Sequence, residues 1–597
     1  MNLPPDDLPD ATSGALTSHA LLVPWGLFAS RIGLIEGLRE VPIAQRTRDH
    51  RPQDKLIEFF VATLSGCPYL QDISRGAHPL DQDRVVAQSW GQGGWADYSG
   101  ISRMLAACSS ATVAALQALL LRISRPFIAG EVLLALHQQG VLVYDGDLTG
   151  RAVSNTSRSY PGTAFGWTDG EVRLGYQAAL VSLHSPTYGR LWLCVQQHPG
   201  DTVASTQALA LVQAAEAVSG VRPRRRTELL AQRIATQEEL WQKAMQQQAD
   251  TAAQVSAGQQ QLLPLEAACQ GWEARVAALE ERYSQQGDLE RPHSLLAQAR
   301  RKLAGQERRR HHREQPLAQA RCRLTRQVQK SASLQHDLQV LRQRLAQFEQ
   351  DNQGNLSPIR AIFRLDAGFG SGANIALLIE MGYDVYTKSG NAQTTRALRR
   401  RVCAHTLWAR VGQNAEMATW EGLRLTNCPY PLDMGLKRFQ IGKDEQYAVL
   451  LHYGTDAVAR APAAWFSRYN ARQTIEAGIK EGKGVLQLHH FKVRSAAGLA
   501  IQELLTAFAA NFVRWAAEWL KRSSTATTSM KRFQTAVKSA VRIGANTSAW
   551  VIWQPQGCLL RFTDLSPFSG TEWRIGNRSF QQLLLPLFTP CDSVPIW

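Results

Sequence analysis

Four side chains in the last third of the chain stand at spacings that suit phosphate chemistry. Tyr469, Arg472, Glu476 and Lys483 are separated by three, four and seven residues. At 3.6 residues per turn that rhythm lays all four along one stripe of a helix. A carboxylate flanked by two cations and a phenol can hold a metal ion next to a phosphate that the cations grip. The same spacing also makes an ordinary i,i+4 ion pair on a solvated helix, and the stripe alone leaves both readings open. Two further acidic positions follow apolar runs. Residues 140–144 lead into Asp145 and Asp147, and residues 362–365 lead into Asp366 and the glycines Gly368, Gly370 and Gly372. An acid at a strand end is held rigidly while the loop after it leaves room for substrate. Asp145-Gly146 is equally the chemistry of a simple turn.

The elements that must position these groups follow from patterning. Residues 1–20 are rich in Pro, Asp and Ser and are expected to be loose. From 21 to 132 apolar clusters such as 56–61 and 104–121 predict a helical domain, and the segment 91–99 predicts a loop ending in a helix cap ahead of Ile101. One of those helices could read DNA, or the domain could be plain helical packing. From 133 to 222 the pattern is a strand ending on Asp145 and Asp147, two β-rich runs (172–184 and 190–197) joined by a hairpin turn, and a helix from about 206 to 218.

Between 223 and 352 the composition shifts to Gln, Arg, Glu, Ala and Leu. Leu334, Leu338, Leu341, Leu345 and Phe348 alternate by four and three, as do Trp272, Val276, Leu279 and Tyr283, which predicts an inserted coiled coil broken at Pro264, Pro292 and Pro316. Its seam could join two chains or pack antiparallel within one. The run Arg308-Arg309-Arg310-His311-His312-Arg313 is either a solvated face or a contact for DNA backbone. Strand, glycine turn, helix and short strand resume over 353–392. A β-rich segment occupies 393–462, the charged stripe and an apolar helix over 496–520 occupy 463–522, and a basic and aromatic tail with a small helix and strands closes the chain at 523–597.

Lys and Arg exceed Asp and Glu by 16 over 597 residues, and the isoelectric point is near 9.6. Such a balance favours an anionic partner, nucleic acid above all. The first residues lack the charged and apolar regions of a signal peptide, and the apolar helix over 496–520 is interrupted by Glu503, Arg514 and Glu518. A cytoplasmic protein with no membrane span is therefore expected. Nine cysteines show no Cys-x-x-Cys pair, which argues against structural zinc.

The pattern Tyr469-x2-Arg472-x3-Glu476-x6-Lys483 resembles the signature of the bacterial insertion-sequence DDE transposases, a cut-and-paste group with an RNase H-like core. The segment Arg364-x-Asp366-x-Gly368-Phe369 is similar to that family's second-aspartate segment, and Asp147 before Leu148-Thr149 is similar to its first. The resemblance covers roughly 130–220 and 358–520; the coiled coil has no counterpart in it. It implies an RNase H-like mixed sheet flanked by helices, so that with the N-terminal helical domain and the inserted α-helical coiled coil read from patterning the expected fold class is α/β. It implies Asp147, Asp366 and Glu476 as catalytic residues holding two Mg²⁺ ions, with Mn²⁺ as a substitute and Asp145 as the alternative first ligand. Tyr469, Arg472 and Lys483 would bind DNA phosphates beside the scissile bond. The partners implied are double-stranded DNA, as transposon ends and target, and a second copy of the chain in a homodimeric synaptic complex in the bacterial nucleoid. In that family a β-rich insertion holds the DNA end, where Trp420 or Trp465 could stack on an unpaired base or lie buried. A catalytically silent DNA-binding protein on the same fold is a second reading. A third is a DNA methyltransferase: Asp366-x-Gly-x-Gly-x-Gly is similar to a cofactor-binding motif, and Asn427-Cys428-Pro429-Tyr430 to the Asn-Pro-Pro-Tyr loop of adenine methyltransferases. That likeness is incomplete, since Thr387-Lys388 stand where a ribose-binding acid belongs.

Overall fold

The computed structural model describes residues 14–46, 49–168, 170–286, 291–442, 444–523, 537–555, 557–563 and 571–576. The chain divides into two compact units, one formed by residues 1–224 with 357–597 and the other by 225–356.

The first unit opens with helices α1 (Leu22–Arg31), α2 (Leu34–Glu40), α3 (Pro52–Leu64), α4 (Asp72–Arg75), α5 (Arg84–Ser89), α6 (Tyr98–Ala107) and α7 (Ser110–Gln139). Asp97 caps α6 by accepting from the Gly100 amide at 2.8 Å, the role expected at the end of the 91–99 loop. Ser109 caps α7, which stops at Gly140 in the left-handed conformation (φ 65°). Every residue of α3 from Lys55 to Leu64 is buried, so this helix belongs to the core and cannot enter a DNA groove.

A ten-stranded mixed sheet forms the centre: β2 (Leu142–Ala152), β3 (Ala164–Thr168), β4 (Glu171–Ser185), β5 (Gly189–Pro199), β6 (Ala361–Leu365), β7 (Asp384–Lys388), β8 (Ala409–Gly412), β9 (Ala415–Arg424), β10 (Pro431–Ile441) and β11 (Asp444–Tyr453). Its order runs β5-β4-β2-β6-β7-β11-β10-β9-β8, with β3 also paired to β4. The pairs β5/β4 and β4/β2 are antiparallel, while β2, β6 and β7 run parallel. Strands β8 to β11 form an antiparallel meander that joins the sheet where Leu450–Tyr453 pair with Lys388–Val385. A separate four-stranded sheet joins β1 (Ala15–Thr17) to β12 (Ala549–Gln554), β13 (Gly557–Phe562) and β14 (Glu572–Gly576). The segment expected to be loose at 1–20 thus includes a paired strand, and residues 1–13 lie outside the described residues.

Three expectations are corrected here. The first strand does not end on its acids: β2 continues to Ala152, with Asp145 and Asp147 in its middle. Asp145 is tolerated there because Arg364, its register partner on β6, neutralises it. The charged stripe is not one helix. Of the later helices α8 (Ala208–Ser219), α9 (Thr227–Gln286), α10 (Leu295–Gln353), α11 (Gly372–Glu380), α12 (Ala392–Arg401), α13 (Pro462–Asn470), α14 (Gln473–Gly484), α15 (Ala496–Ser523) and α16 (Val537–Arg542), Tyr469 belongs to α13 and Glu476 to α14, with Arg472 at the break. The two helices bury different faces. α13 sends Trp465 and Tyr469 into a cluster with Ile362, Tyr386 and Met417, whereas α14 packs on β2, β5 and α15.

The third correction concerns the breaks expected in the second unit, where α9 and α10 form the antiparallel hairpin within one chain that the seam allowed, and only Pro292 falls between helices. They run 60 and 59 residues and continue through Pro264 and Pro316. Each proline forfeits one hydrogen bond, a loss the flanking helix–helix packing offsets. Val255, Leu317 and Ala320 make one packed layer, and Val276, Leu296 and Ala299 another. Leu338, Leu341 and Phe348 of the expected seam, all on α10, are buried, and α9 of the same chain packs against that helix. At the base Arg225 donates through Nε to Asp351 at 2.9 Å and through its amide to Asn352 at 2.8 Å.

α15 is long and apolar enough to cross a membrane by length and composition, and most of it is buried inside the unit. Its Phe508 and Phe512 rings lie 5.7 and 5.5 Å from Phe60 of α3, and Trp515 stacks on Phe127 of α7 at 4.2 Å.

Candidate active site

Successive strand residues alternate faces, so Asp145 and Asp147 point to one side of β2. Their surroundings differ. Arg364 donates from Nε to Asp145 Oδ1 at 2.6 Å and from Nη2 to Oδ2 at 2.7 Å. Both residues are buried, and Nη1 of the same guanidinium donates to the Arg468 carbonyl at 3.0 Å. Asp145 is spent on a two-point ion pair.

Asp147 is also largely buried. Its Oδ1 accepts from the Leu148 amide at 2.9 Å and its Oδ2 from Arg472 Nη1 at 3.2 Å. Burial pushes its pKa up to about 6; Arg472 pulls it down and Asp366 pushes it further up. Asp366 directly follows β6 and turns its Oδ1 onto the Gly368 amide at 3.0 Å, while its carbonyl accepts from Thr387 Oγ1 at 2.9 Å. Glu476, in the first turn of α14, is exposed, and its Oε1 accepts from Arg472 Nη2 at 2.9 Å.

Arg472 is therefore the hub. Its guanidinium joins the strand acid Asp147 to the helix acid Glu476. Burial would lower its pKa, but the charges of Asp147, Tyr469, Asp366 and Glu476 hold it above its ordinary value. The i,i+4 pair with Glu476 that the spacing allowed is made, and both Nη nitrogens of Arg472 are on carboxylates. α14 itself is fixed by Glu481, whose Oε2 accepts from Arg190 of β5 at 2.7 Å and from Arg514 of α15 at 2.6 Å.

Tyr469 is buried in the core, and its hydroxyl donates to the Leu365 carbonyl at 3.3 Å. Burial, with Arg472 opposing and Asp366 and Glu476 reinforcing, pushes its pKa up to about 12. Lys483 lies two turns beyond Glu476 on α14, half-buried, with its carbonyl accepting from His489.

One group that sequence reasoning missed is Lys388, the last residue of β7. Its Nζ lies 5.3 Å from the Tyr469 ring centroid. Burial and then Arg472 lower its pKa, while Glu476 and Asp366 raise it. The signal was its position: it ends the strand beside the one that delivers Asp366.

The donor chemistry suits a hard divalent cation, since all three acids offer carboxylate oxygens. The placement is looser: among the described residues no three His, Cys, Asp or Glu side chains stand close enough together to hold a metal ion. Arg472 fills the interval between Asp147 and Glu476.

The glycines after Asp366 serve the chain's own packing. A Cβ on Gly370 would stand 1.9 Å from the Lys388 carbonyl, and one on Gly372 would stand 2.0 Å from the Thr426 carbonyl. They leave protein backbone, not open space, against the turn. In the later loop Tyr430 is buried, and its hydroxyl donates to Glu380 at 3.0 Å. Trp465 is buried as well, whereas Trp420 is half-buried.

No family model matches this chain. No curated protein matches it either. Among solved structures, the outer membrane protein VceC from Vibrio cholerae aligns over 73% of this chain and 96% of its own at 12% identity, with a TM-score of 0.11. A superposition that poor transfers neither fold nor function.

Proposed function

We propose that this chain is an insertion-sequence DNA transposase of the DDE group, which binds terminal inverted repeats and carries out metal-dependent DNA cleavage and strand transfer. The observation that carries the reading is the bridge through Arg472: an acid from the first core strand and an acid from a late helix meet one guanidinium, with Asp366 in the same electrostatic cluster. The strand order β5-β4-β2-β6-β7, two antiparallel pairs followed by two parallel ones, supports an RNase H-like core.

Asp147, Asp366 and Glu476 are the carboxylates that would have to close around Mg²⁺, since as placed they are not close enough together to hold it; bound there, the metal would supply Lewis-acid activation for an in-line phosphoryl displacement. The chain's own residues supply the rest. Arg472 keeps Asp147 ionised in a buried setting and offers a two-pronged donor suited to phosphate oxygens. Lys388 and Lys483 add positive charge at the ends of β7 and α14. Tyr469 supports the strand end that carries Asp366 through its bond to Leu365, a packing role beside the phosphate contact expected of it. Double-stranded DNA ends and target are the substrates, and pairing two ends calls for a homodimer.

The test is cleavage of end-containing duplex DNA with Mg²⁺ or Mn²⁺. The wild-type chain is expected to cut. Glu476→Ala is expected to bind the ends and not cut, and cutting by that variant at the wild-type rate would sink the proposal. The second reading, a catalytically silent DNA-binding protein on this fold, draws on the carboxylates being spanned by Arg472; tight end binding with no cleavage under either metal would favour it.

A further inference from the structure

We infer that the outward face of α10 is a binding track for the phosphate backbone of double-stranded DNA, independent of sequence. The inference rests on the reading of the chain as a DNA-processing protein and extends it to the helical hairpin. The hairpin is electrically lopsided: α10 carries thirteen Lys and Arg against five Asp and Glu, whereas α9 carries four against eight. Part of that charge serves the hairpin itself: Arg301 donates to the Pro292 carbonyl at 2.8 Å and Lys302 lies over the Trp272 ring. Arg300 pairs with Glu280 and Arg342 with Glu238 across it, and Arg310 pairs with Glu314 along α10.

Arg308, Arg323, Arg326 and Lys330 are exposed and, among the described residues, have no carboxylate or carbonyl partner. At about 100° per residue they fall within about 60° of one another, opposite the face that buries Leu317 and packs the half-buried Leu324 beside it. From Arg308 to Lys330 the track spans about 33 Å at ~1.5 Å per residue. A duplex presents a charge every ~1.7 Å of its axis, so several phosphates lie within that reach. Beside the track, Pro264 and Leu265 of α9 and Arg308, Arg309, His312 and Arg313 of α10 line a cleft of about 650 Å³, which adds two more exposed arginines along one edge. A solvated charged face that did nothing else would be expected to interleave acids with bases, as α9 does. This one leaves its cations unmatched.

The experiment is fluorescence anisotropy of the full chain with a labelled 40-base-pair duplex of arbitrary sequence, titrated with KCl. Two variants are compared. The neutral one is Arg308→Gln, Arg323→Gln, Arg326→Gln and Lys330→Gln together, and the charge-keeping one is Arg308→Lys, Arg323→Lys and Arg326→Lys together. The slope of log affinity against log salt is expected to flatten by about 3 to 4 in the neutral variant, roughly 0.9 per lost phosphate contact, and to stay at the wild-type value in the charge-keeping one. An unchanged slope in the neutral variant overturns the inference. Equal loss in both variants also overturns it, because that reports damage to the helix. So does loss confined to binding of phosphatidylglycerol vesicles, which would assign the track to a lipid surface. Mg²⁺-dependent cleavage of end-containing DNA is measured in parallel. Cleavage with an unchanged slope removes only the track, and a flattened slope with no cleavage removes only the enzymatic reading.

Discussion

Asp145 and Asp147 stand two residues apart on one face of one strand, and each meets an arginine, yet the two pairs are built for opposite ends. Arg364 meets Asp145 with two short bonds and is itself anchored to a backbone carbonyl, so the charge is fully matched inside the core. Arg472 meets Asp147 with one longer bond from Nη1 and gives Nη2 to the exposed Glu476. The first pair closes a sheet. The second leaves Asp147 with a pKa of about 6 and an opening toward solvent through Glu476. A matched pair resists change, whereas an under-matched one is open to a cation or a phosphate.

The sharpest way to break this contrast is Asp147→Asn. It is expected to cut cleavage by about 10³-fold, because a lost metal ligand removes several kcal/mol of transition-state stabilisation, while the urea midpoint stays level or rises. A fall in midpoint with cleavage retained would reverse the roles assigned to the two acids. Arg364→Ala should do the opposite to the fold. It strands a buried carboxylate and is expected to cost about 3–5 kcal/mol in urea unfolding, and Asp145→Leu with Arg364→Met should recover most of that loss.

A smaller effect concerns pH. Because the folded pKa of Asp147 lies above its unfolded value, the folded state binds more protons between about pH 4 and 6, so this group's contribution to stability falls as pH rises through that window. Cleavage runs the other way and is expected to decline below about pH 6 as Asp147 protonates. Arg472→Ala should move that decline upward by about 1–3 pH units, as read from the pH–rate profile and from carboxyl resonances. An unmoved profile would separate Arg472 from Asp147.

Local pattern made much of this legible and non-local pairing hid the rest. The β4/β5 hairpin could be read from two β-rich runs and a Pro-Thr-Tyr-Gly turn, and the glycines after Asp366 marked a strand-to-helix turn. The i,i+4 relation of Arg472 and Glu476 survives as a real contact. What failed was anything decided by partners far along the chain. Asp145 looked like the end of a strand because its neutralising arginine lies 219 residues later. The break at Arg472 carries no proline or glycine, since it arises from α13 and α14 burying against different elements. Pro264 and Pro316 looked like helix ends because their sequence surroundings do not show the packed layers that carry the helices past them. Lys388 carries no local signal, because the groups that give it a role, Tyr469, Arg472 and Glu476, lie more than 80 residues later in the chain.

The clasp of Arg225 on Asp351 and Asn352 brings the entry and exit of the long hairpin side by side. Chain that leaves and returns through one doorway costs the rest of the fold little more entropy when long than when short. Matched turns can therefore be gained or lost from both helices at once without disturbing that doorway, which makes the hairpin a ruler whose length evolution and the protein engineer are free to reset.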